Sequence, residues 1–417
     1  MRSQSHNEGT DVRPRVVHVV TSHLAVGFMR GHLQFLQKQG FDVILISSPG
    51  NGLDEAGRIE NVRIIGLPMA REIAPLKDLV SLWRLWRTIR ALRPAITNVG
   101  TPKAGLLGGC AAWLTGVPCR FYTLHGLRCE TSKGLRRSLL ISAEYLACHF
   151  ANRVVCVSRS LREKAIDLGL TTRERSVVLG SGSCNGVNAS QFAPTPERTI
   201  RAAELRLELG IPRHAPVIGF VGRLTRDKGI SELVEAFRRI SNEFLDLRLL
   251  LLGLLEEEDK LDSETRKYLE THPRIILAGY IEDTSSYYAL MDILALPSHR
   301  EGFGNVVLEA YAVGKPVVAA RATGLVDAVM DGQTGLLFPV GDVGALVCCL
   351  QRLLRDKVFA RRLGAAGQEL IKREFRQEIV WNALMEEYRR LLETTSLSRW
   401  EAPVDKEAAD LMERPNE

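Results

Sequence analysis

The stretch "RVVHVVTS" (Arg15–Ser22) is an almost unbroken apolar run that ends in a turn. A strand with one wet face alternates apolar and polar residues; a strand covered on both faces does not. The run therefore reads as a strand buried on both sides. Working outward, "GHLQFLQKQG" (Gly31–Gly40) has helical periodicity and stops at a glycine, and "FDVILISS" (Phe41–Ser48) is a second apolar strand. "VRIIGLP", the long helical "LKDLVSLWRLWRTIRALRP", "AITNV", "CRFYTLHG", "ANRVVCVS" and "RSVVLGSG" continue the series. Strand, helix and strand joined by short connections require a parallel sheet with helices on both faces, so the class is α/β.

"NASQFAPTPERTI" (Asn188–Ile200) interrupts the pattern with prolines and polar residues and reads as a linker. A second series follows: "APVIGFVG", "SELVEAFRRI", "LRLLLLG", "PRIILAGY", "YYALMDILALPS", "NVVLEAYAVG", "KPVVAA" and "TGLLFPVGD", then helices to about residue 393. The expected organisation is two doubly wound domains, residues 1–192 and 193–394, followed by a mobile tail over 395–417. Ligands of such sheets sit at the carboxyl ends of the strands, here in the cleft between domains.

The 417 residues carry a net charge of +6. Residues 1–195 hold 25 Lys and Arg against 13 Asp and Glu, a net of +12, and the remainder holds 30 against 36, a net of −6. A basic half points to an anionic partner such as a membrane surface, a diphosphate or nucleic acid. Nucleic acid is disfavoured, because the interleaved aromatic and basic residues of a strand-binding platform are missing. The eight cysteines form no C-x-x-C pair and most lie in apolar runs, which fits a reduced intracellular protein. The start, "MRSQSHNEGTDVRP", is polar, and the longest apolar run, "AGLLGGCAAWLTGVP" (Ala104–Pro118), is too short to span a bilayer.

Two segments carry chemistry. In "GFVGRLTRDKG" (Gly219–Gly229) a strand ends at Gly222, with Arg223 next and Lys228 five residues on. A planar guanidinium and a compact ammonium at a strand's carboxyl end can clamp a diphosphate. In "SHREGFGNVVLEA" (Ser298–Ala310), Gly302 and Gly304 let the backbone approach a ligand and present N–H groups to it. Asn305 opens a helix on which Glu309 stands one turn later. Glu301 before the helix and Glu309 within it are expected to face one mouth. A partly buried carboxylate without a partner costs kilocalories, and sugar or ribose hydroxyls would satisfy both.

These segments resemble retaining glycosyltransferases of family 4. E-G-F-G-N-V-V-L-E is similar to their E-x7-E signature, and "GFVGRLTRDKGI", "NGVNASQF", "DGQTGLLFPVGD" and "GKPVVAA" follow in the family's order. The likeness spans about residues 15–390. In the first half, "PLKDL", "TPKAGLLG" and "YTLHGLRCET" resemble a subgroup that builds capsular, exopolysaccharide or O-antigen units on lipid carriers. The resemblance implies the GT-B fold: two Rossmann-like domains facing across a cleft, with a helix at about 375–393 packed back on the first. It implies that Arg223 and Lys228 neutralise the donor diphosphate, that Glu309 holds the ribose, and that Glu301 with the backbone of Gly302, Phe303 and Gly304 holds the donor sugar. Gly222 and Asn305 frame that donor pocket. His125, in "TLHG", matches a histidine near the reacting centre. Two positions depart from the pattern. The loop "HLAVGFMRG" lacks the usual double glycine and leaves Gly27 alone, and Asp327 stands where many members carry glutamate.

The implied reaction is transfer of a sugar, with retention, from a nucleotide donor (UDP) to a lipid-linked saccharide in bacterial surface polysaccharide synthesis. The donor is a substrate, no cofactor is expected, and the absence of a D-x-D motif argues against a metal-bound donor. A UDP-sugar 2-epimerase would need acid/base carboxylates in the cleft; a non-catalytic nucleotide-sugar-binding protein would release no UDP. The basic helical segment Pro75–Pro94, with Leu79, Leu82, Trp83, Trp86 and Ile89 beside Arg84, Arg87, Arg90 and Arg93, together with "SKGLRRSLL", is expected to attach the chain peripherally to the anionic inner face of the plasma membrane.

Overall fold

The computed structural model describes residues 13–50, 52–70, 74–193, 195–256 and 260–395. The polar start and all of the expected tail beyond residue 395 lie outside them. Seven strands build the first sheet: β1 (Arg15–Val19), β2 (Asp42–Ser47), β3 (Arg63–Gly66), β4 (Ile96–Gly100), β5 (Cys119–Leu124), β6 (Arg153–Cys156) and β7 (Ser176–Val177). Six build the second: β8 (Val217–Val221), β9 (Arg248–Leu252), β10 (Ile275–Gly279), β11 (Ile293–Leu296), β12 (Val317–Ala320) and β13 (Gly335–Phe338). The orders are β3-β2-β1-β4-β5-β6-β7 and β10-β9-β8-β11-β12-β13, with every pairing parallel. Both sheets reverse direction at their centre, between β1 and β4 and between β8 and β11, and such a switch point opens a crevice at the strands' carboxyl ends.

The apolar runs behave as their composition requires. Val16, Val17 and Val19 of β1 and Leu249 to Leu252 of β9 are buried on both faces of their sheets. His18, the polar break in β1, is buried and its pKa is lowered to about 3, first by desolvation and then by neighbouring His32. It is therefore a neutral core residue.

Three expectations need correction. The linker candidate Asn188–Ile200 is largely helical, at Ala189–Phe192 and again from Pro196 to Glu208. Asn188 and Thr195 each accept a backbone N–H at the start of these helices, so the polar residues that read as linker are helix caps. The strand read in "RSVVLGSG" shrinks to two residues. In the helix Pro75–Leu92 the stripe buried on the sheet is Ser81, Leu85, Ile89 and Leu92, whereas Leu76, Leu79, Val80 and Trp83 are exposed.

The closing helix Gln377–Thr394 follows the second domain yet packs on the first sheet. Asn98 of β4 donates to the buried Tyr388 hydroxyl at 2.7 Å, and Arg153 pairs with Glu387 at 2.7 Å. The two domains also touch directly. Ser158 Oγ donates to the Gly302 carbonyl at 2.7 Å, Ser160 N donates to Asp327 at 3.0 Å, and Thr323 Oγ1 donates to Glu130 at 2.6 Å.

Candidate active site

The first wall of the site begins where β8 ends. Gly222 has φ of 147°, and a Cβ on Gly253 would stand 1.8 Å from its carbonyl oxygen, so the chain turns here only because both positions are glycine. The turn delivers Arg223, whose guanidinium meets Glu256 at 2.9 Å and Asp227 at 3.6 Å. A short 3-10 turn, Arg226–Lys228, then aims Lys228 across to the next loop, where its ammonium lies 2.6 Å from Glu301.

Asp227 organises this wall. It is 9% exposed and receives Thr225 Oγ1 at 2.6 Å and Arg300 at 2.6 Å. Burial alone would raise its pKa, but the Thr225 hydrogen bond and the charges of Arg300, Lys228 and Arg223 outweigh that and hold it below the usual carboxylate value. Arg300 also reaches the first domain, with Nε 3.1 Å from Thr131 Oγ1.

The second wall is the turn before the helix Asn305–Ala312. Among the described residues no acceptor takes the backbone N–H of Gly302, Phe303 or Gly304. Three successive donors without such an acceptor, in the turn whose Glu301 meets Lys228, suit an anion or hydroxyl oxygens. The Phe303 ring itself is buried, 5.3 Å from the Phe375 ring, so this residue offers its backbone alone. Asn305 is also committed: its amide donates to Cys184 Sγ at 2.8 Å and accepts from Ser183 Oγ at 3.0 Å.

Glu309 is half-buried, and the hydroxyl of buried Tyr288 donates to it at 2.7 Å. Desolvation raises its pKa to about 7, against the lowering effect of the tyrosine bond. Lys228 joins Glu301, not Glu309, so the two carboxylates occupy different settings: one beside a cation, the other in an apolar recess with a phenol. His125 follows β5, and its ring is stacked 5.8 Å from that of Phe28. Desolvation lowers its pKa to about 4, so it is neutral near pH 7. The His125 carbonyl abuts Gly302, where a Cβ would stand 1.9 Å away, and this contact sets the first domain's histidine against the second domain's turn.

Tyr288, Asp227, Glu256 and Arg300 escaped the sequence reading. Asp227 stands four residues after Arg223, a spacing that signals an ion pair on a helical turn. Tyr288 gave no such signal, since its role depends on a hydroxyl meeting a residue 21 positions away. Among the described residues no group of three or more His, Cys, Asp and Glu side chains is placed to hold a metal ion.

Residues 28–182 match the family described as glycosyl transferase 4-like domain, and residues 215–356 match glycosyl transferases group 1. Over 378 residues the chain is 35% identical to the capsular polysaccharide biosynthesis glycosyltransferase CapM of Staphylococcus aureus, covering 91% of this chain and 97% of that relative. The chain belongs to the family 4 glycosyltransferases. This glycosyltransferase is also 28% identical to an Escherichia coli enzyme named UDP-Gal:alpha-D-GlcNAc-diphosphoundecaprenol alpha-1,3-galactosyltransferase, over 84% of this chain and 90% of that one. Its fold matches that of Anabaena Alr3699/HepE, solved in complex with UDP and glucose, at a TM-score of 0.77 and 19% identity, covering 90% of this chain and all of the other. The two-sheet architecture of the glycosyltransferase is thus shared with a solved structure, and the candidate site lies where the two domains meet.

Proposed function

We propose that this glycosyltransferase moves a sugar from a UDP donor to a lipid-linked saccharide, with retention of anomeric configuration, in bacterial surface polysaccharide synthesis. The observation that carries the reading is the 2.6 Å contact between Lys228 and Glu301, which joins the cationic loop to the turn with the open N–H groups. A departing nucleoside diphosphate accumulates negative charge and needs no proton from an acid. Preorganised cations beside the leaving oxygens stabilise it. Arg223 and Lys228 supply them, Glu301 and the backbone of Gly302, Phe303 and Gly304 hold the sugar, and Glu309 holds the ribose hydroxyls. His125, neutral and with its backbone carbonyl against the turn, contacts the acceptor or the donor sugar. The UDP and diphospholipid in the names of the two relatives just described support the choice of donor and acceptor, and the E-x7-E spacing supports retention.

The protein works at the inner membrane face. No helix among the described residues is long and apolar enough to cross a membrane. Leu76, Leu79, Val80 and Trp83 project from the helix Pro75–Leu92 beside Arg84, Arg87 and Arg90, a pattern suited to lying at an anionic surface. The test is to incubate purified protein with UDP-sugars and an N-acetylglucosamine diphospholipid, reading UDP release and the anomeric configuration of the product. Acceptor-dependent UDP release with an axial-to-axial product supports the proposal. Epimerised UDP-sugar without transfer assigns the chain to the epimerases instead.

A further inference from the structure

A cavity of about 660 Å³ opens between the domains, lined by Glu130, Ser132, Lys133 and Arg137 from the first and by His299 and Val340 from the second. It adjoins the site already described. His299 stands two residues before Glu301, and Arg300 between them bridges Thr131 of this wall to Asp227 of the donor wall.

The charges here are arranged differently from those on the donor side. Arg223 and Lys228 are each held by carboxylates. Lys133 and Arg137 are exposed, and neither side chain makes an ion pair or hydrogen bond among the described residues. Two unpaired cations on one wall favour an anion with several oxygens. Glu130 presents the opposite character. One of its oxygens accepts from Thr323 at 2.6 Å, while the other is enclosed and has no hydrogen-bond partner. An enclosed carboxylate oxygen without a donor is costly, and a ligand hydroxyl would relieve it. Beside these groups Leu135 is 90% exposed and Leu139 is 52% exposed, one turn apart on the same helix, Gly134–Phe150. One ligand class carries an anion, hydroxyls and an apolar tail together.

Resting on the transfer reaction proposed above, we propose that this cavity receives the sugar-diphosphate head of the acceptor. Lys133 and Arg137 hold the diphosphate, Glu130 accepts from a sugar hydroxyl, and the isoprenoid chain leaves along Leu135 and Leu139.

The test uses geranyl diphosphate, a short water-soluble isoprenoid diphosphate, with UDP saturating the donor site and no membrane present. Calorimetry on the wild type and on Lys133→Ala/Arg137→Ala is expected to show binding weakened at least about tenfold in the variant, with UDP affinity unchanged. Both side chains are exposed, so the variant folds. No wild-type binding, or equal affinity in the two proteins, overturns the assignment. It is also overturned if inorganic pyrophosphate binds as tightly as geranyl diphosphate, which marks a free-anion site. The same holds if the variant detaches from anionic vesicles yet keeps its geranyl diphosphate affinity, which gives the cations to the membrane. A wild type that binds no UDP-sugar would instead overturn the donor reading, and the geranyl diphosphate result would still decide the cavity.

Discussion

Lys228 and Glu301 are each about one-sixth exposed, at 15% and 16%, and lie 2.6 Å apart, so in the absence of donor each neutralises the other. Removing one partner of such a pair leaves the other charge poorly solvated. Lys228→Ala is therefore expected to lose both turnover and some thermal stability. Arg223→Ala, at a more exposed position, should lose turnover while keeping its melting temperature. The expected fall in kcat is about 100- to 1,000-fold for each, the scale of losing one preorganised charge-stabilising group, and near-normal transfer by either variant would refute the clamp. Glu309 makes a pH prediction. Its folded pKa of about 7 lies above its ordinary value of 4.5, so the fold favours the neutral form. That contribution to stability is complete below about pH 4.5 and is lost as pH rises through about 7. Ribose hydroxyls bond best to the ionised form, so UDP binding should tighten as pH rises through about 7. In Glu309→Gln that component should vanish from the pH profile measured by calorimetry. The motif residues were legible because their spacing is local. Tyr288, whose hydroxyl partly offsets the burial that raises the Glu309 pKa, was not, because its contact is tertiary.

At the scale of elements, the site depends on how closely the turn after β11 approaches the end of β5. A Cβ on Gly302 would lie 1.9 Å from the His125 carbonyl and 3.1 Å from Val157 Cγ2, and both belong to the other domain. Gly302→Ala must push the domains apart. A displacement of about 1 Å at a reacting centre costs roughly 100-fold in rate, and that loss of kcat/KM is expected with UDP affinity less affected. Wild-type kcat/KM in Gly302→Ala would show that the contact is unnecessary. The helix Pro75–Leu92 divides its apolar residues between two surfaces, one stripe on the sheet and one toward solvent. Two cations lie over its tryptophans, Arg87 at 5.8 Å from Trp83 and Arg90 at 5.3 Å from Trp86. Leu79→Ser/Trp83→Ser should cosediment less with anionic liposomes at low salt while folding normally. High salt should detach the wild type as well, since exposed charges are screened within about 10 Å at 0.1 M. Indifference of the wild type to lipid charge would remove the membrane role. Periodicity showed that this helix is amphipathic; which apolar stripe the sheet covers was decided by the sheet.

Across the whole molecule, hydrogen bonds hold the domains face to face, and Asp327 has a part in them. Whatever the departure at this position does for the donor, Asp327 accepts from both the backbone N–H and the hydroxyl of Ser160, at the start of a first-domain helix. Asp327→Ala is expected to loosen the closed arrangement, lowering kcat/KM about tenfold, the value of one or two such bonds. Small-angle scattering should show a larger radius of gyration in the presence of UDP, and an unchanged profile with unchanged turnover would exclude the latch. The closing helix Gln377–Thr394 adds a second tie by returning to the first sheet through Tyr388 and Glu387. The amino-acid order by itself determined the two α/β series, because strands buried on both faces must be continuously apolar. It also determined the cation and carboxylate motifs, because each lies within a dozen residues. Tertiary structure alone decided that Lys228 meets Glu301 across 73 positions, that Glu309 sits with Tyr288, and that residues 130–137 face His299 across a cavity. The first two pairings form when the second sheet folds and brings the segments around β8 and β11 together. The third forms only when the two sheets dock, and docking is fixed by shape at glycines such as Gly126 and Gly302, which no periodicity encodes.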